Sequence, residues 1–179
     1  MGGYSRLLVD LNRRENEDEL IVKVSDKTLV PANQNLTAEE KEKRLEKYYR
    51  PYYQKIEKQI EHLLSVGKRP ILFSIHSYTP QLKDGDYRPW QAGVLWHKKA
   101  KLADFMYQEL QNTGKIVGEN VPYDLQKYNT GTAVICGEEN GFDYALIEIR
   151  DDEFENLNKG ANEWAEILYK ILREYLSCV

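Results

Sequence analysis

The sequence predicts an α/β protein with a mixed, mostly parallel sheet flanked by helices. Three observations carry this reading. Short apolar runs alternate with amphipathic stretches along the chain. Pro70 to His76 and Tyr144 to Arg150 are apolar runs of strand length. The chain closes on Trp164, Ile167, Leu168, Ile171, Leu172 and Tyr175, one face of a helix. At 179 residues it has the size of a single domain, 1–179, large enough to bury a core.

In chain order, Ser5 to Leu11 is a short apolar run that reads as a strand starting almost at the first residue. A long polar connection follows to Leu36, of the length usually found in functional or mobile loops. Thr37-Ala38-Glu39-Glu40 is a capping box, a hydroxyl and a carboxylate three residues apart that each satisfy a free backbone N–H. Leu45, Tyr49, Tyr52, Ile56, Ile60 and Leu63 then share one helical face, with a kink or two abutting helices expected at Pro51 and a stop at Gly67. After the strand at 70–76, Gly93-Val94-Leu95-Trp96 is a second strand. Leu102, Phe105, Met106 and Leu110 mark a helix, and Lys115 to Gly118 is a short strand. Residues 119–131 read as loop, Ala133 to Glu139 as a helical turn stopped near Gly141, and 144–150 as the last strand before the closing helix.

Composition excludes several classes. With 25 basic and 29 acidic side chains the net charge is −4, which argues against a nucleic-acid or anionic-membrane partner. No apolar run is long enough for a membrane span, and Met1 to Arg6 has no apolar core of a signal peptide. Cys136 and Cys178 lie far apart, as reduced thiols of a cytoplasmic protein would. The aromatic–basic stretch Lys47 to Tyr53 reads as packed aromatics with snorkelling bases rather than a base-stacking platform.

Two positions draw attention as chemistry. His76 sits where an apolar strand meets a polar loop, the place where open α/β sheets build their sites; metal ligand, acid–base group and hydrogen-bonded strand-end histidine all remain open. Glu148 stands within Leu146-Ile147-Glu148-Ile149, where a carboxylate is costly unless paired. Either Arg150, two residues on and on the same face, neutralises it, or it is a general base with a raised pKa. Arg13 beside Asn12 could grip a carboxylate bidentately, though a solvated charge cluster is the commoner meaning of such a run. His62 and His97 read as surface residues.

The segments Ser5 to Arg13, Ser74-Ile75-His76-Ser77-Tyr78-Thr79-Pro80, Arg88-Pro89-Trp90-Gln91-Ala92-Gly93-Val94-Leu95-Trp96, Gly118-Glu119-Asn120-Val121-Pro122-Tyr123 and Ile147-Glu148-Ile149-Arg150-Asp151-Asp152 occur in the order and spacing of the N-formylglutamate amidohydrolase family. The chain resembles that family over nearly its whole length, and the family is related to the zinc carboxypeptidases. The resemblance implies a zinc-carboxypeptidase-like fold and a cytoplasmic, zinc-dependent amidohydrolase that takes a small acidic N-acyl amino acid and releases formate and glutamate. On matching positions it makes His76 a zinc ligand and Glu148 the carboxylate that takes a proton from zinc-bound water. It makes Asn12 and Arg13 the pair that grips a substrate carboxylate, and it places Arg88 and Tyr123 in loops around the site.

The same resemblance puts the first zinc ligands, a histidine followed shortly by an acidic residue, upstream of the Asn12-Arg13 segment. The expectation is therefore an N-terminally truncated domain with one matched ligand where a catalytic zinc takes about three. Cys136 stands where the family pattern would place a histidine. The sheet is expected to lose strands, leaving an open edge that could serve a homo-oligomer. The alternative to an active hydrolase is a metal-free, inactive homologue that binds carboxylates or oligomerises.

Overall fold

The computed structural model describes residues 3–179. A four-stranded sheet is built from β3 (Ile71–Tyr78), β4 (Ala92–Leu95), β5 (Val117–Glu119) and β6 (Asp143–Arg150), and a two-residue hairpin, β1 (Val24–Ser25) and β2 (Thr28–Leu29), lies apart from it. The large sheet has the order β3-β6-β4-β5; β3–β6 and β4–β5 are parallel and β4–β6 antiparallel, so the sheet is mixed and mostly parallel as expected.

Side-chain alternation along β6 assigns its two faces. Ala145, Ile147 and Ile149 point to one side. They belong to a core with Leu102, Met106 and Leu110 of α3 (Lys101–Gln111) and Trp164, Leu168 and Ile171 of the closing helix, here named α5 (Leu157–Ser177). Leu146 and Glu148 point to the other side, which carries the N-terminal segment and the long helical element. That element begins with α1 (Ala38–Arg44), whose capping box at Thr37 and Glu40 forms as read. It continues into α2 (Arg50–Ser65) through a π-helical turn at Leu45–Tyr49. Of the kink or abutting helices expected at Pro51, the structure has two helices that abut through this turn, α2 starting one residue before the proline. Pro51 has no N–H to donate and its ring crowds the carbonyl four residues back, and the widened turn lets the Arg50 N–H reach the Leu45 carbonyl instead. Gly67, at φ +72°, closes α2 in a Schellman motif: its N–H bonds the Leu64 carbonyl, and the Lys68 N–H bonds that of Leu63.

One expected strand does not form. Ser5 to Leu11 runs as turns, with the Leu8 N–H on the Ser5 carbonyl. Side chains take the backbone groups that a ladder would have used: Asn33 Nδ2 donates to the Leu7 carbonyl (2.8 Å) and Arg44 Nη1 to that of Leu8 (2.9 Å), while the Asp10 N–H reaches the Leu20 carbonyl. The connection that follows is ordered by a 3₁₀ turn at Asp18–Ile21, the β1–β2 hairpin and a second 3₁₀ turn at Pro31–Asn33. No helix among the described residues is long and apolar enough to cross a membrane.

Candidate functional site

Parallel pairing of β3 with β6 sets His76 directly beside Glu148, with Ser74 beside Leu146 and Tyr78 beside Arg150. Paired residues of neighbouring strands share a face. His76 and Glu148 therefore stand together on the face that opens into a cleft of about 830 Å³, near the carboxyl ends of the two strands. Asn12, Arg13, Arg6, Asp10 and Tyr123 line the same cleft. Of the six residues singled out in the sequence, five meet there; Arg88 stands behind Tyr123, its Nη1 3.4 Å from the Tyr123 hydroxyl.

Glu148 is buried, at 6% exposure, and its Oε2 has no hydrogen-bond partner among the described residues. Burial pushes its carboxyl up to about 8, against the opposing pull of the Arg6 and Arg88 charges. Of the two readings left open for Glu148, neutralisation by Arg150 does not occur. Arg150 gives its Nε to Asp152 (2.7 Å) and its Nη1 to the carbonyls of Arg88 (3.1 Å) and Pro89 (2.9 Å). The burial of Glu148 has a local cause in β4. Gly93 is its cross-strand neighbour, and a Cβ there would lie 1.7 Å from the Val121 carbonyl oxygen. The missing side chain admits the 119–123 loop against the sheet, where Asn120 fastens it. The Asn120 N–H bonds the Val94 carbonyl, and its Oδ1 accepts from the Trp96 N–H. That crossing covers the space beside Glu148 and carries Tyr123 into the cleft.

His76 bonds Ser74 through Nε2 (2.9 Å), and burial holds it below the usual histidine range, so the ring is neutral at neutral pH. Asn12 accepts the Thr132 N–H (2.9 Å) through its Oδ1, at the start of the short helix α4 (Thr132–Cys136). Arg13 is ion-paired, its Nε 3.2 Å from Glu19 and 3.8 Å from Glu17. Both residues are pinned by tyrosines of the helical element: the Tyr53 hydroxyl donates to the Leu11 carbonyl (2.9 Å) and that of Tyr49 to the Arg13 carbonyl (2.8 Å). The aromatic stretch thus does pack, and it also holds the Asn12-Arg13 turn. Sequence reasoning missed this, and missed Arg6 and Asp10. Asp10 is buried, takes Nε and Nη2 of Arg6 on one oxygen (3.1 and 2.7 Å) and the Asn12 N–H on the other (3.0 Å). The available signal was a lone acid in an apolar run, four residues after an arginine. His97, read as a surface residue, is half-buried and held by Glu138 (2.8 Å).

Among the described residues, no three His, Cys, Asp or Glu side chains converge as a metal-binding group. His76 and Glu148 are adjacent, but two donors fall short of the roughly three that a catalytic zinc takes from its protein. The residues present do not by themselves make the zinc centre that the resemblance implies.

The family model for N-formylglutamate amidohydrolase matches residues 1–154. Among solved structures, that of gene product Atu2144 from Agrobacterium tumefaciens is similar, with 27% identity, a TM-score of 0.89, and coverage of 98% of this chain and 69% of that one. No curated protein matches. With most of its length matched by the family model and the family's segments gathered around one cleft, the chain belongs to the N-formylglutamate amidohydrolase family.

Proposed function

We propose that the cleft binds a small N-acyl amino acid through its carboxylate, N-formyl-L-glutamate being the reference ligand, and that Glu148 handles the proton in hydrolysis of its amide. The observation that carries this is the buried Glu148 carboxyl, unpartnered at Oε2, beside His76 at the floor of a cleft with guanidinium groups around it. Hydrolysis consumes one water, breaks the amide C–N bond, and leaves formate and glutamate. The water must lose a proton and the departing nitrogen must gain one. A carboxyl that titrates near neutral pH is suited to both transfers, while guanidinium groups fix the ligand's orientation.

A second reading, carboxylate binding without turnover, is favoured by the donor count around His76. Calorimetry with N-formyl-L-glutamate and an assay of formate release, each with and without added zinc, separate the two. The hydrolase reading expects release that Glu148→Gln abolishes while binding persists. Binding without release in every condition supports the second reading, and absence of binding overturns both.

A further inference from the structure

The polar groups of the cleft account for only part of a ligand. Both guanidinium groups among its described lining residues are ion-paired, Arg6 with Asp10 and Arg13 with Glu19 and Glu17. Against them stand three acidic residues of the lining, Asp10, Glu19 and Glu148. Cations matched in this way can still meet one carboxylate, but the lining carries no surplus of positive charge for the second carboxylate of N-formyl-L-glutamate. Much of the remaining wall is apolar and uncovered. Tyr4, Tyr123 and Tyr128 line the cleft and all three are exposed, Tyr4 at 61% and Tyr128 at 60%. Rings left in water inside a concave site form a surface suited to an apolar group of a ligand.

These rings are exposed on a backbone that is held. The Tyr128 N–H bonds the carbonyl of Leu125 (3.1 Å), a residue buried in the core. On the other side of Tyr128, Arg14 Nε donates to the Asn129 carbonyl (2.9 Å) and the Thr130 hydroxyl to Glu17 (2.6 Å). The Arg88 guanidinium lies over the Tyr123 ring, 5.3 Å from its centroid, and Tyr4 rests edge-on against Tyr48 with centroids 4.5 Å apart. A tyrosine offers a large contact area with only two side-chain torsions to fix, so rings set in place this way meet a flat partner at small entropic cost. A formyl group, one carbon and its oxygen, gives them no such partner.

We propose that the cleft prefers N-acyl amino acids that carry an aromatic ring, and that Tyr4, Tyr123 and Tyr128 determine this specificity. The inference rests on the reading above that the ligand is an N-acyl amino acid bound through a carboxylate. A ligand ring packs offset or edge-on against the tyrosines and takes apolar surface of both out of water, while its amide is left for Glu148 and His76.

The test is calorimetric binding of four ligands to the whole chain: N-formyl-L-glutamate, N-formyl-L-leucine, N-formyl-L-phenylalanine and N-benzoyl-L-glutamate. The last two carry the ring on the amino-acid side chain and on the acyl group. At least one of them should bind roughly 10-fold or more tightly than the two ligands without a ring, and the one that gains tells which end of the ligand meets the tyrosines. Tyr4→Ala, Tyr123→Ala, Tyr128→Ala and Tyr128→Phe are compared with Tyr169→Ala, which removes an exposed ring of α5 away from the cleft, and thermal unfolding is run on each. Tyr128→Ala leaves the bonds made by Leu125, Asn129 and Thr130 in place. It should lower the ratio of ring-ligand to N-formyl-L-glutamate affinity roughly 3–10-fold, a change of ratio that general loosening of the fold would not give. Tyr128→Phe and Tyr169→Ala should keep the parent ratio. No gain for either ring ligand over N-formyl-L-leucine, or a ratio that survives all three alanine substitutions in the cleft, overturns the proposal. Binding of N-formyl-L-glutamate in that case leaves the reading it rests on intact; a parent chain that binds none of the four ligands overturns both.

Discussion

Glu148 is an acid that its surroundings keep protonated. Unfolded, a glutamate releases its proton near pH ~4.3. Folded, this one holds it to about pH 8 because burial opposes the charge. Between those limits the folded state binds more protons than the unfolded chain, so stability falls as pH rises across the window: the contribution is whole below it and gone above it. Glu148→Gln removes the titration without changing the shape. Its unfolding midpoint should match the parent near pH 4 and exceed it by several degrees at pH 8, at roughly 2–4 °C per kcal/mol for a chain of this size. Equal midpoints at pH 8 would mean that the carboxyl ionises without penalty. Much of this site was legible one residue at a time. A carboxylate in an apolar strand and a histidine at a strand end are conspicuous because both are costly or unusual where they stand. Arg6, Asp10 and Arg150 were harder, because each looks like an ordinary charge until the partner that neutralises or anchors it is known, and those partners lie in turns or across strands.

At the scale of elements, the site depends on one close crossing. The 119–123 loop lies on β4 only because position 93 carries no side chain, so Gly93→Ala sets a methyl group against the Val121 carbonyl. That backbone cannot yield without releasing Asn120 from Val94 and Trp96. The substitution should cost about 1–3 kcal/mol in chemical denaturation, the range of an overpacked interior. It should also weaken binding of N-formyl-L-glutamate by displacing Tyr123; a variant with parent stability and parent binding would show that the loop tolerates a shift. The element boundaries follow the same division between local and distant causes. Periodicity found α3, α5 and the sheet strands, and capping chemistry found the start of α1, since these signals are written in neighbouring residues. The run at 5–11 has strand composition but gives its carbonyls to Asn33 and Arg44, 26 and 36 residues away, so no local pattern announces its turns.

For the molecule as a whole, the order β3-β6-β4-β5 leaves the eight-residue β3 on an edge, although it carries His76. An edge of that length presents a row of backbone donors and acceptors, and natural sheets usually blunt such edges with charge, proline or a covering element. Here the outward residues include Ile75, 59% exposed, and Ser77, also exposed, with no charge on the strand other than what His76 could take up. The strand is therefore ready to accept a further strand, and the cleft lined by Ile75, His76 and Ser77 opens along it. In dilute buffer the chain should associate with itself in a concentration-dependent way, measured by light scattering across a dilution series. Ile75→Lys, which sets a charge on the exposed edge and leaves His76 and Glu148 in place, should shift the population toward monomer. Association that ignores Ile75→Lys would place the contact elsewhere. Association and binding lost together would mean that the pairing of edges itself completes the cleft, and would tie the open side of the sheet directly to the chemistry of His76 and Glu148.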